Sequence, residues 1–133
     1  MLVRLRELVA ANRSFAFETT RSGLGHVRFL SHCRTAGYQV VLIYLWLPSL
    51  ADALARVARR VARGGHSIPD DVVIRRYSAG LKNMRHHYLP LADAAVISDN
   101  SDGKNILIAE RRPGTSLVIH DAIRWQLIED ATR

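Results

Sequence analysis

The chain has 133 residues, of which 48% are hydrophobic, and a formal net charge of +7. This length allows one domain with a hydrophobic core, and the composition excludes an intrinsically disordered chain. Its single cysteine, Cys33, excludes an internal disulfide and a cysteine-rich zinc site. The longest apolar run, residues 40–48, is far shorter than the ~20 residues of a membrane-spanning helix, so we expect no membrane partner.

The N-terminal stretch mixes Arg and Glu into its apolar positions, which is not the pattern of a signal peptide. Together with the lack of disulfides, this favours a cytoplasmic location. Apolar residues at helical spacing predict a helix over residues 1–12. A strand is predicted over residues 14–20 and a second helix over residues 23–36, ending at Gly37.

The run YQVVLIYLWL, residues 38–47, is the best strand in the sequence. Its apolar residues are continuous, so we expect it to be buried on both faces of a parallel sheet. A helix should then run from Pro48-Ser49 to about Arg63, where Gly64-Gly65 breaks it. The next helix begins near Ser67-Ile68-Pro69-Asp70, and its predicted buried face contains four residues: Ile74, Tyr77, Leu81 and Tyr88.

The C-terminal part of the sequence predicts shorter elements. Residues 94–98 form a strand that ends in Asp99-Asn100-Ser101. Residues 105–109 and 117–120 form a hairpin, and Ala122–Ala131 a final helix. Strands that alternate with helices predict an α/β domain with a mainly parallel sheet.

Polar groups follow several of the predicted strands. In a parallel sheet, ligands bind beyond the carboxyl ends of the strands. We therefore expect one edge of the sheet to carry a site formed by Glu18-Thr19-Thr20, Pro48-Ser49 and Asp99-Asn100.

Arginine supplies almost all of the positive charge, and four arginines share one face of the helix after residue 49. Leu50, Leu54, Val57 and Val61 form the opposite face. Like charges at this spacing repel, so a polyanion would stabilise the basic face, which consists of Arg56, Arg59, Arg60 and Arg63. A solvated basic surface in an arginine-biased protein is the alternative.

The break Gly64-Gly65-His66 lies between this basic helix and a helix that carries Arg75-Arg76. Two basic helices joined by glycines are typical of a lid that closes over phosphate groups. Such a lid would neutralise charge during phosphoryl transfer and exclude water.

Five stretches together resemble the zeta toxin-like family of P-loop kinases, in particular its branch of predicted ABC-type ATPases. In chain order they are SFAFETTRSG, AGYQVVLIYLWLPS, RVARRVARGGHSIPDDVVIRRYSAGLKN, YLPLAD and ISDNS. The resemblance implies a three-layer P-loop kinase-like domain. It also implies ATP-dependent phosphorylation of a small-molecule acceptor, with Mg²⁺ as a cofactor. In zeta toxins proper, that acceptor is a UDP-activated amino sugar.

The resemblance also implies roles for individual residues. Glu18, Thr19 and Thr20 would belong to the acceptor pocket, and His66 to the lid. Asp99 and Asn100 would lie near the nucleotide. The candidates for clamping the phosphates are Arg56, Arg60, Arg63, Arg75 and Arg76.

The sequence departs from the family in lacking the phosphate loop G-x-x-x-x-G-K-[ST]; Gly23-Leu24-Gly25-His26 has neither its spacing nor its lysine. The family's general-base aspartate would also precede Met1. We therefore expect an N-terminally truncated domain, inactive alone, whose sheet lacks its central strand and exposes an edge.

Two other functions compete with the kinase. An arginine-rich module could bind nucleic acid, but the few aromatic residues do not alternate with the basic face, so nucleic acid is an unlikely partner. A non-catalytic protein could instead bind an antitoxin-like partner. No metal site is predicted from the residues themselves, since His26, His32 and His120 lack metal-ligand spacing.

Overall fold

The computed structural model describes residues 2–16, 24–65 and 68–133. Two helices, α1 (Leu2–Ala10) and α2 (Gly25–Thr35), precede strand β1 (Val41–Trp46). Helices α3 (Leu50–Ala62), α4 (Asp70–Asn83) and α5 (Leu89–Leu91) separate β1 from β2 (Ala94–Asp99). Strands β3 (Ile106–Arg111) and β4 (Val118–Ile119) and helix α6 (Ala122–Ala131) complete the described fold. The protein is therefore mixed α/β, as predicted.

The four strands form one open sheet in the order β1-β2-β3-β4. Strands β1 and β2 are parallel, but the β2–β3 and β3–β4 pairs are antiparallel. The prediction of a mainly parallel sheet is therefore wrong. The reason is chain length: residues 100–105 alone join β2 to β3, whereas a parallel crossover needs about a dozen residues or more. The predicted hairpin and final helix are confirmed.

One face of the sheet forms the main hydrophobic core. Tyr44 and Trp46 of β1, Ile97 of β2 and Ile108 of β3 are buried there, together with Ile128 of α6. A smaller cluster of Leu5, Phe29 and Cys33 joins α1 to α2. Burial raises the pKa of the Cys33 thiol, which keeps it protonated and inert.

The other face of β1 differs from the prediction. Val41, Ile43 and Leu45 are 56%, 65% and 48% exposed, so the described residues bury only one face of this strand. A continuous apolar run shows that a strand suits burial on both sides, but it does not supply the covering element. Of the predicted strand over 14–20, residues 14–16 are neither helix nor strand, and residues 17–20 lie outside the described residues.

Helix α4 also differs from the prediction in one position. Val73 is buried and Ile74 is exposed, because tertiary packing selects one residue from the apolar run 72–74. Leu81 and Tyr88 are buried as predicted. After Asn83 the helix widens into a π-helical turn over Met84–Tyr88, which places Met84 and Tyr88 in the core.

Within the described parts of the chain, every helix is too short or too polar to cross a lipid bilayer.

Candidate phosphate-binding site

The parallel pair β1–β2 brings two predicted site segments to one edge of the sheet. Trp46, the last residue of β1, lies opposite Asp99, the last residue of β2. The segments Pro48-Ser49 and Asp99-Asn100 therefore lie at the carboxyl ends of neighbouring strands, as predicted. The third predicted segment, Glu18-Thr19-Thr20, lies outside the described residues.

Helix α3 starts at this edge with a side-chain cap. The Ser49 hydroxyl accepts a hydrogen bond from the Asp52 backbone N–H (3.2 Å) and donates one to Asp52 Oδ2 (2.8 Å). The Asp52 carboxylate also lies at the positive end of the helix dipole. The start of α3 is thereby held at the end of β1.

Helix α4 is tied to the same strand end. The Tyr77 hydroxyl donates a hydrogen bond to the Leu47 carbonyl oxygen, at 2.7 Å. Burial raises the pKa of Tyr77, and the negative charge of Asp52 adds to this shift, so the hydroxyl remains a donor. Because α3 also packs against α4, the two helices form one unit at this edge.

The basic face of α3 is exposed, as the helical pattern predicted. Arg56, Arg59, Arg60 and Arg63 point away from the partly buried leucine and valine face. Across residues 2–16, 24–65 and 68–133, none of these four arginines forms an ion pair with a carboxylate. Their positive charges are therefore left to solvent or to an anion.

The end of α3 gives the two glycines a structural role. The N–H of Gly65 donates to the Arg60 carbonyl, and the N–H of Gly64 donates to the Val61 carbonyl, each at 3.0 Å. This is the Schellman pattern, and Gly64 has the positive φ that it requires, +92°. A Cβ on Gly65 would lie 2.9 Å from the Arg60 carbonyl oxygen. The glycines therefore form a defined helix cap. Hinge motion at this site stays a prediction, and His66 lies outside the described residues.

Helix α4 adds two more exposed arginines, Arg75 and Arg76. Neither makes an ion pair within the described parts of the chain. All five predicted clamp arginines therefore lie, exposed, on two helices that pack together. Arg59 extends this set.

Asp99 lies at the end of β2 and is only 2% exposed. Its Oδ1 accepts hydrogen bonds from the backbone N–H (2.8 Å) and the hydroxyl (2.6 Å) of Ser101. Its Oδ2 accepts a hydrogen bond from Arg124 Nε, at 2.8 Å. Burial alone would raise the pKa of Asp99, but the bonds from Ser101 and Arg124 outweigh it and hold the pKa below its ordinary value.

Arg124 connects this aspartate to the start of α6. Its Nη1 lies 2.6 Å from Asp121 Oδ2, and Asp121 Oδ1 caps the helix by accepting from the Arg124 backbone N–H. The pKa of Asp121 is lowered, mainly by this backbone hydrogen bond and next by the bond from the Arg124 side chain. The pKa of Arg124 is raised by its hydrogen bonds to Asp99 and Asp121. Asp99 and Arg124 therefore form a structural ion pair.

Sequence reasoning missed Arg124, Asp121 and Ser101 as the partners of Asp99. Two local signals were present. Ser101 follows Asp99 by two residues, the spacing of an Asx turn. Asp121 stands directly before the final helix, the position of an N-cap.

The described residues show no cluster of potential metal ligands. They contain no group of three or more His, Cys, Asp or Glu side chains that could hold a metal. Magnesium is usually held by one or two carboxylates in addition to phosphate oxygens. Asp99, which we expected near the nucleotide, already has both carboxylate oxygens engaged inside the protein.

Comparison with known proteins gives one weak similarity. The chain is 35% identical over 63 residues to an uncharacterized protein of Haemophilus influenzae. The match covers 47% of this chain and 45% of the relative, so it spans less than half of either protein. No family model matches the chain, and no solved structure matches it.

Proposed function

We propose that this chain provides the phosphate-binding helices of an ATP-dependent small-molecule kinase of the zeta toxin-like class. The observation that carries the proposal is the set of exposed arginines on α3 and α4, none of which forms an ion pair within the described residues. Helix α3 begins just after the carboxyl end of β1, and Tyr77 of α4 is hydrogen-bonded to Leu47 there. Arginine suits this role because its planar guanidinium binds phosphate oxygens with two parallel hydrogen bonds.

In the proposed reaction, Arg60, Arg63 and their neighbours on α4 act on the phosphate groups of ATP. They neutralise negative charge on the transferring phosphoryl group, and that charge is spread over its equatorial oxygens in the transition state. The same proposal includes a three-layer P-loop kinase-like fold for the domain. It also includes a small molecule as the acceptor of the phosphoryl group. No step of the proposed reaction is assigned to magnesium.

Binding of a phosphate chain tests this proposal directly. Purified protein is titrated with ATP and with inorganic tripolyphosphate at low salt, and hydrogen exchange is followed across α3 and α4. We expect both ligands to bind and to slow exchange there, with affinity falling as salt rises. The double variant Arg60→Ala/Arg63→Ala should weaken binding by roughly tenfold or more.

The matched control is Arg6→Ala/Arg28→Ala, which removes two exposed arginines from α1 and α2. It lowers the net charge by the same amount as the double variant on α3. The control should bind tripolyphosphate nearly as well as the native chain. Equal weakening in both double variants would mean that overall charge, and not the α3–α4 pair, attracts the anion. No binding of either ligand would reject the proposal.

A further inference from the structure

Among the described residues, strand β1 lacks the features that usually protect the edge of a sheet. It is the outermost strand of the described sheet and pairs only with β2 among the described strands. Its six residues, VLIYLW, include no charge, proline or glycine. Natural edge strands usually carry such residues, or a covering element, because unpaired backbone groups attract other strands.

A groove of ≈ 870 Å³ runs along this strand. The exposed side chains of β1, namely Val41, Ile43 and Leu45, form one wall, and Phe15 contributes to the lining. Arg56 of α3 also lines the groove, so an apolar floor lies beside a positive charge. This combination suits an extended segment with apolar residues at alternate positions and an acidic residue near Arg56.

The groove could be filled by a second copy of this chain or by a different protein, and the charge of the chain decides between these two occupants. A second copy would bring another formal charge of +7 towards the first, and Arg56 of α3 lines the groove. Repulsion between two such surfaces opposes self-association, whereas an acidic segment gains attraction from the same charges. An acidic partner is therefore the occupant that this surface favours.

We propose that β1 is a docking site for an acidic protein partner, whose extended segment adds as a strand to the edge that no described strand covers. Its alternate apolar side chains cover Val41, Ile43 and Leu45, and an acidic side chain pairs with Arg56. The partner strand needs about six residues, or roughly 20 Å, to match β1. This inference shares Arg56 with the proposed phosphate site, but it is tested separately, because its probe is a peptide without phosphate and its variant lies on β1.

The probe is a short synthetic peptide that alternates valine with glutamate. Binding is measured by fluorescence anisotropy, and protection of the amides of residues 41–46 by hydrogen exchange. We expect the peptide to bind and to protect those amides. A peptide with lysine in place of glutamate should bind at least roughly tenfold more weakly, and so should one with a central proline, which removes a backbone donor.

Two variants of the protein locate the site. Ile43→Lys places a charge on an exposed position of β1, so it should leave the fold intact and weaken peptide binding by roughly tenfold or more. The matched control, Ile123→Lys, makes the same change at an exposed position of α6 and should bind like the native chain.

Several outcomes would overturn the inference. One is the absence of peptide binding, and another is equal binding of the lysine and glutamate peptides. A mass that doubles with concentration, with amides 41–46 protected and Ile43→Lys monomeric, would identify a second copy as the occupant. Full protection of the same amides in a dilute monomer would identify another part of this chain as the cover.

Discussion

Two groups of arginines in this molecule have opposite surroundings. On α3 and α4 they are exposed and have no carboxylate partner within the described residues. On α6, Arg124 lies between two carboxylates, Asp99 at 2.8 Å and Asp121 at 2.6 Å. The same side chain therefore has two different settings: Arg124 holds the fold together, and the arginines of α3 and α4 contribute exposed positive charge.

This difference has an energetic basis. A buried carboxylate such as Asp99 is costly unless a cation and hydrogen bonds compensate for lost hydration, so Arg124 is needed for stability. The α3 arginines repel one another and gain nothing from the fold that the described residues show. Substitutions in the two regions should therefore change stability in opposite directions.

The largest effect is expected at Arg124. Arg124→Ala leaves the Asp99 carboxylate buried without its cation, and we expect the free energy of unfolding to fall by roughly 2 to 3 kcal/mol. Chemical denaturation of the native and variant chains measures this change. Arg59→Ala is the control on α3 and should change stability by less than about 0.5 kcal/mol. Similar losses in both variants would show that Arg59 has a structural partner as well.

In both regions, the sequence predicted local features, such as the exposed face of a helix, better than it predicted which distant residues pair with each other. The amphipathic pattern of α3 placed Arg56 and Arg60 on the exposed face correctly, because helical periodicity is a local property. The partner of Asp99 is 25 residues away in the chain, and no local pattern joins an aspartate after β2 to an arginine in α6. The family resemblance places Asp99 near the nucleotide, which stays a prediction, but it gives no sign that Ser101 and Arg124 engage both oxygens of this carboxylate.

For the sheet, too, local patterns predicted the strands but not the long-range contacts between elements. Hydrophobic runs located β1 and β2, and turn residues located the hairpin. Strand direction depends on the length and path of each connection, and the run in β1 did not show that Ile43 would be left exposed. Burial on a second face depends on a covering element, which the strand's own residues do not specify.

Acid should also destabilise the protein by weakening the Asp99–Arg124 pair. We expect this loss in the free energy of unfolding to be smaller than the loss caused by Arg124→Ala. The folded-state pKa of Asp99 is lowered, so its contribution is fully present above the pKa of an unfolded aspartate, near 3.8. The contribution is lost as the pH falls through the lower folded-state value. The loss is smaller because a protonated carboxyl still accepts a hydrogen bond from Arg124. Urea denaturation from about pH 6 down to about pH 2, which passes through the ordinary aspartate pKa and continues below it, measures this change.

The comparison that isolates Asp99 in this experiment is Arg124→Ala. Without the cation, burial opposes the bonds from Ser101 alone, so this variant should lose less stability on acidification than the native chain. Equal acid sensitivity in the two proteins would show that other carboxylates, and not this pair, control the acid response.

The smallest expected effect is a gain in stability on α3. Arg60 lies one turn after Arg56 and three residues before Arg63, so Arg60→Glu replaces two repulsions with two attractions. Each such pair contributes about 0.2 to 0.5 kcal/mol, and a negative charge near the helix C-terminus offsets part of the gain. We expect a net stabilisation of about 0.5 kcal/mol by chemical denaturation at low salt.

Arg60→Gln, which removes only the repulsions, should gain less, and both gains should fade as salt screens the charges. The cap is unaffected, because Gly65 donates to the backbone carbonyl of Arg60 and not to its side chain. A loss of stability in Arg60→Glu would mean that this arginine already has an anionic partner in the folded protein, and the contrast with Arg124 would then fail.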